Sequence, residues 1–224
     1  MVKRILTQPL VRIQLKRFVF KPVLWSLIVL AACLTFFIHL ANWQFARADY
    51  KSKVLAQYQS RPKQAAKTLN QVMQNPGASE YYRIKVTGHY DNKHQFLLDN
   101  KVHDRRAGYQ VITPFIIKGK QRVLLINRGW IPLGHSRQTL PTIKPVLGTQ
   151  TLVGSVKMPP KKVYVLAHKA AKLSWPNRVQ SIQLKKYSAA LNKPLYPFMV
   201  LLSPKAKHGY VRAWKPTSQA KSQK

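Results

Sequence analysis

The sequence predicts an α+β protein anchored in a membrane: an N-terminal transmembrane helix followed by a mostly antiparallel, barrel-like β domain with short helices. Three observations carry this expectation. Residues 22–43 form one apolar run without a formal charge, and about 20 such residues suffice for a spanning helix. From residue 76 onward, short segments rich in β-branched and aromatic side chains are separated by Gly, Pro and Asn, the pattern of short strands in a sheet curling towards a barrel. The only cysteine, Cys33, lies inside the apolar run, so the later domain has no disulfide and must stand on its own core.

The elements follow in order. Residues 1–21 make a basic arm that carries Lys3, Arg4, Arg12, Lys16, Arg17 and Lys21 and no acid. Lysine and arginine beside a first helix are retained on the cytoplasmic side, which places the amino terminus inside and the main domain outside. Arg47, Lys51 and Lys53 follow closely on the far side and weaken the contrast. Residues 22–43 are the transmembrane helix, with Trp25 and Trp43 near its ends, where indole rings favour the headgroup layer. A cleaved signal peptide is the competing reading, because Ala46-Arg47-Ala48 resembles a cleavage site. The apolar core of a signal peptide is only about 7–15 residues, however, and this run is longer.

Residues 44–75 form a helical membrane-proximal segment. Trp43, Ala46, Tyr50 and Val54 keep to one face, Pro62 stops the helix, and a second short helix over 63–74 ends at Asn75-Pro76-Gly77. Residues 76–214 form the β domain. Strands are expected over 82–87, 95–99, 109–117, 122–127, 149–157, 163–166, 179–184 and 197–202, with one helix over 185–192 and a tight reversal at Gly119. The tail, 215–224, is basic, polar and expected to be disordered.

Charge sets the partners to weigh. The 224-residue chain holds 39 Lys plus Arg against five acids, a formal net charge of +34, and no acid follows Asp104. Such imbalance suits nucleic acid, and it equally suits anionic headgroups, which a tethered domain meets first. A merely solvated positive surface is the bland alternative. No zinc-finger pattern, phosphate-binding loop, paired carboxylates or Gly-x-Ser-x-Gly elbow is present; Gly134-His135-Ser136-Arg137 stands where an elbow would need a second glycine. His89, His94, His103, His135 and His168 have no Cys partner and no i, i+4 pairing, so no metal site and no enzyme are expected.

Two groups of segments then carry a family likeness. Leu40-Ala41-Asn42-Trp43-Gln44-Phe45-Ala46-Arg47 through Lys51 resembles the segment that ends the first membrane helix of the surfeit locus protein 1 family, with Ala41 where that family usually has glycine. Leu97 to Lys101, Gly108 to Phe115 and Leu125 to Pro132 resemble its central signature in order and spacing. Gly88, Tyr90, Gly108, Tyr109, Pro114, Asn127, Arg128, Gly129 and Trp130 stand in these stretches, and Trp175 to Gln180 and Gly209 to Trp214 fit as well. The likeness covers about residues 20 to 214.

The resemblance implies an assembly factor for haem–copper cytochrome c oxidase that assists insertion or retention of haem a in the catalytic subunit. Its implied partners are that subunit, the haem a synthesis machinery and membrane lipid, with no nucleic acid expected. The implied site is the bacterial cell inner membrane with the main domain periplasmic, or alternatively the mitochondrial inner membrane. The family also leads one to expect a second membrane helix after Trp214, where this sequence runs only to Lys224. The expectation is a shortened variant or a truncated sequence, and the coding sequence past Lys224 distinguishes the two.

Haem needs an axial ligand and apolar walls. His39 lies one helical turn before Trp43 in the apolar run, followed by Gln44 and Arg47; the guanidinium suits a propionate. The alternatives are an interfacial histidine, an aromatic-belt tryptophan and an arginine meeting phosphates. His208 is a weaker ligand candidate. Gly129 is expected at positive φ, with Arg128 paired to Asp99 or Asp104.

Overall fold

The computed structural model describes residues 13–15, 18–20, 22–134, 139–160 and 174–214. The expected strand over 163–166 and the tail 215–224 lie outside them. The chain divides into two compact units, Met1–Val54 and Leu55–Lys224.

In the first unit, β1 (Ile13–Leu15) pairs antiparallel with β2 (Phe18–Phe20). The helix α1 (Leu24–Ser60) begins there and runs on into the second unit. Its 37 residues rise about 55 Å, more than the roughly 30 Å of a hydrocarbon core. It is the one helix among the described residues that is long and apolar enough to cross a membrane. None of its residues is buried by protein, so its apolar surface has no protein core to account for it.

The second unit opens with the end of α1 and a single 3-10 turn over Arg61–Lys63, where Pro62 cannot donate the next helical bond. The short helix α2 (Leu69–Gln74) starts later than expected because Lys67 pairs with the sheet, its N–H donating to the Arg83 carbonyl at 2.8 Å. Thr68 and Gln71 form a reciprocal capping box, with bonds of 3.3 and 2.8 Å.

Seven strands follow: β3 (Arg83–Tyr90), β4 (Phe96–His103), β5 (Arg106–Ile117), β6 (Val123–Pro132), β7 (Gln150–Lys157), β8 (Asn177–Val179) and β9 (Leu195–Leu202). Five of them close as β3-β7-β9-β6-β5 and back to β3. All barrel contacts are antiparallel except β6–β9. Renumbered one to five along the chain, the barrel strands run 1-4-5-3-2-1, the Greek-key order of an OB-type barrel. β4 and then β8 extend the sheet beyond β5. Pro114 sits where β5 leaves β4, last paired at Ile112, and takes up β3, first paired at Phe115.

Two elements differ from the sequence expectation. β4 and β5 form a longer hairpin through Asp104 and Arg105, at φ 46° and 61°. This is the primed geometry of a two-residue turn, built without the glycine that normally signals it. The strand expected over 179–184 ends at Val179; the chain bends and enters α3 (Leu184–Leu191), closed by Asn192 at φ 49°.

The packing is layered. Ile84, Val86, Tyr90, Phe115, Leu124, Ile126, Val156, Phe198 and Val200 belong to one cluster. β3 alternates exposed and buried along its length, as a strand with one wet face should. A second cluster, with Phe96, Leu98, Ile112, Leu125 and Met199, is capped by Tyr187 of α3, whose ring stacks on Phe96 at 4.0 Å. A third joins Leu97, Tyr109, Val111 and Ile131 to Tyr210. Covering both faces is why nine successive residues of β6 are buried.

Candidate functional site: a buried arginine at a strand bulge

Segments of the central signature meet residues 208–212 around one defect in β6. Val111 faces Gly129 and Ile112 faces Asn127, so Arg128 is the extra residue of a β-bulge. Gly129 takes φ 119°, and a Cβ there would stand 2.7 Å from the Val211 carbonyl oxygen. Residues 210 and 211 run alongside. Tyr210 N–H donates to the Arg128 carbonyl at 2.7 Å, and Trp130 and Val211 exchange bonds of 2.7 and 3.1 Å. Asn127 ties the bulge internally, accepting from Gly129 N–H at 3.1 Å and donating to Gln110 at 3.1 Å.

The remaining signature residues serve this arrangement. Gly88 lets β3 and β5 touch: a Cβ would lie 2.1 Å from the Ile116 carbonyl oxygen. Gly108 leaves room for the Trp130 indole, whose Nε1 donates to the Lys101 carbonyl at 2.9 Å. Pro114 accepts from Asp91 N–H at 2.9 Å. Tyr109 is fully buried in the cluster that holds Tyr210.

Arg128 is only 2% exposed. Its guanidinium carbon lies 5.1 Å from the centroids of both Tyr90 and Tyr210, which favours the cation through both ring faces. Nε donates to the His208 carbonyl at 3.0 Å and Nη2 reaches the Lys144 carbonyl at 3.5 Å. The pairing expected with Asp99 or Asp104 does not form. Asp99 accepts from Asn100 N–H at 2.7 Å, and Asp104 stands 3.2 Å from His103. The bulge turns Arg128 to rings and carbonyls that sequence proximity did not suggest.

Burial lowers the arginine's pKa, with Tyr210 and Tyr90 opposing. Burial also pushes Tyr90 up to about 12 against the pull of Arg128 and Arg212, so both phenol and guanidinium present hydrogens near neutral pH. Arg212 donates through Nη1 to the Ser203 and Ala206 carbonyls, each at 2.7 Å. Tyr90 Oη, Tyr210 Oη, Arg128 Nη1 and Arg212 Nε are buried without a partner among the described residues.

A protein-family model described as SURF1 family matches residues 31–223. The chain belongs to the SURF1 family. It is 27% identical over 128 residues to a SURF1-like protein of Monosiga brevicollis, covering 53% of this chain and 49% of that one. Surfeit locus protein 1 of Xenopus tropicalis is 28% identical over 137 residues, covering 53% and 44%. Cytochrome oxidase assembly protein SHY1 of Saccharomyces cerevisiae is 28% identical over 97 residues, covering 42% and 24%. The chain spans about half the length of the curated relatives it matches.

In this SURF1-family chain the haem candidates fall into separate units. His39, Trp43, Gln44 and Arg47 are exposed on α1 within the first unit. The first, second and fourth stand four residues apart along one face, and the Arg47 guanidinium lies 5.4 Å from the Trp43 ring centroid. This set holds an imidazole, an aromatic face and a cation, the side-chain types that would hold a haem with propionates. His208 belongs to the second unit at φ 60°; its carbonyl receives the Arg128 bond while its side chain is exposed. No group of three metal-ligating side chains occurs among the described residues.

In the sequence Tyr210 and Arg212 stand out only as part of a likeness; nothing local places Tyr210 against Arg128 or Arg212 beside Tyr90. The available signal was the acid inventory, in which 39 cations share five carboxylates.

Proposed function

We propose that this chain is an assembly factor for haem–copper cytochrome c oxidase, assisting insertion or retention of haem a in the catalytic subunit. The observation that carries the reading is the family match, which extends from within α1 through the barrel. The name of the yeast relative, a cytochrome oxidase assembly protein, points the same way. In this reading α1 anchors the chain in a bacterial inner membrane, or in a mitochondrial one, with the barrel on the outer side. The catalytic subunit and the haem a synthesis machinery are its partners.

Bound haem a would supply the redox iron that the oxidase requires. The chain's own residues hold and orient: His39 offers the imidazole, Trp43 a ring face, and Gln44 and Arg47 the polar contacts at the propionate edge. The role is binding and placement rather than catalysis. A basic tethered module for anionic lipid or nucleic acid, unrelated to oxidase, is less well supported. The face of an OB-type barrel that binds oligonucleotides lies on its second and third strands, here β5 and β6. Their side chains Ile112 and Leu125 lie in the cluster that α3 covers.

Deleting the gene is expected to remove the haem a absorbance of the oxidase, and the full chain is expected to restore it. His39→Ala should reach the membrane in normal amount yet lose co-purifying haem. Normal oxidase spectra in the deletion strain reject the assembly role; undiminished haem in the variant rejects His39.

A further inference from the structure

The bulge site leaves a charge without an opposite. The whole sequence has five acids, and each is engaged elsewhere. Asp49 pairs with Lys53, Glu80 with Lys157, Asp91 with His94 and Asp104 with His103, while Asp99 accepts from Asn100 N–H. Among the described residues, Arg128 meets neutral carbonyls and ring faces and no carboxylate. Tyr90 lies in the field of both Arg128 and Arg212. It cannot serve as a tyrosinate counter-ion near neutral pH, since burial holds its hydroxyl protonated.

All four unpartnered groups at this end of the barrel can donate. Arg128 Nη1 and Arg212 Nε can only donate, and Tyr90 and Tyr210 can donate through their hydroxyls. Buried polar groups are normally satisfied. A trapped water can satisfy a donor, but it does not neutralise a guanidinium. We propose that this end of the barrel binds a small oxyanion, a carboxylate or a phosphate group, between Arg128, Arg212, Tyr90 and Tyr210. Guanidinium N–H groups match such oxygens in geometry and charge. With Arg128 only 2% exposed, a polymer backbone cannot reach it.

Residues 208–211 pack against the site. His208 is held in the left-handed region at φ 60° and turns its carbonyl onto Arg128 Nε. Gly209 sits so close to Arg212 that a Cβ would lie 2.4 Å from its Nη1. The proposal does not depend on the oxidase reading, since it follows from charge and donor count alone.

The test uses the full chain, purified in detergent, at constant ionic strength held with chloride. Acetate and inorganic phosphate are titrated separately by calorimetry and by thermal unfolding. Saturable binding of either supports the site, and the one that binds more tightly identifies the source as carboxylate or phosphate. Tyr90→Phe and Tyr210→Phe keep the rings over Arg128 but remove a donor, and should weaken binding roughly tenfold each. Arg128→Gln should abolish binding; if that variant does not fold, the two phenylalanine variants decide. No saturation by either anion, equal stabilisation by chloride, or unchanged affinity in both phenylalanine variants overturns the proposal. The assay contains neither haem nor oxidase, so its failure leaves the assembly role untouched.

Discussion

Tyr90 shows how one residue links burial to pH. Burial raises its pKa to about 12, while Arg128 and Arg212 pull it down. Because the folded value exceeds the unfolded one, the associated stability is fully present below about pH 10 and is lost as pH rises towards 12. The difference corresponds to about 2–3 kcal/mol. Lys157 acts in the same direction. Burial opposes its charge, but the 2.8 Å bond to Glu80, that carboxylate's charge and the Tyr81 hydroxyl outweigh it and raise the pKa. Urea titrations across the alkaline range should show stability falling from about pH 10, with a shallower fall in Tyr90→Phe. Identical slopes in the two proteins would show that Tyr90 is not a source of the loss.

At the scale of elements, the decisive piece is the bulge in β6. A local reading of Asn127 to Trp130 ends a strand in a turn, because Gly129 carries the positive φ that turns also use. The strand instead runs through to Pro132, and the extra residue re-aims Arg128. Turn and bulge look alike locally; only the register against β5 separates them. The Asp104-Arg105 hairpin shows the reverse case, a tight turn without a glycine to announce it. Gly129→Ala combines a strained φ with a contact 2.7 Å from the Val211 carbonyl oxygen. It should lower the unfolding free energy by roughly 2–4 kcal/mol, measured by chemical denaturation at neutral pH. A loss below half a kcal/mol, an order-of-magnitude threshold typical of ordinary surface sites, would mean that β6 and residues 210–211 separate at little cost.

At the scale of the whole molecule, the two units differ in what stabilises them. No residue of α1 is buried by protein, whereas the second unit contains all three apolar clusters. A fragment beginning at Leu55 is therefore expected to fold cooperatively without detergent. A single denaturation transition with strand-type circular dichroism would bear this out; a non-cooperative melt would show that the barrel needs the first unit. High positive charge favours solubility but repels itself within a compact chain, so added salt should sharpen and raise that transition.

The sequence by itself determined the apolar helix, the mostly antiparallel sheet, the positive φ at Gly129 and the absence of any disulfide in the β domain. Each depends on residue type or local period: an uncharged run of membrane length, alternation at period two, the freedom of glycine, a single cysteine. Tertiary structure alone decided the partners of Arg128. Tyr90, Arg128 and Tyr210 lie far apart in the chain, and they meet because β3 closes onto β5 and residues 210–211 clip onto β6. Nearness in sequence suggested Asp99 or Asp104 for that arginine. Register and closure, set by packing across the barrel, supplied two aromatic rings and left its charge to be matched from outside.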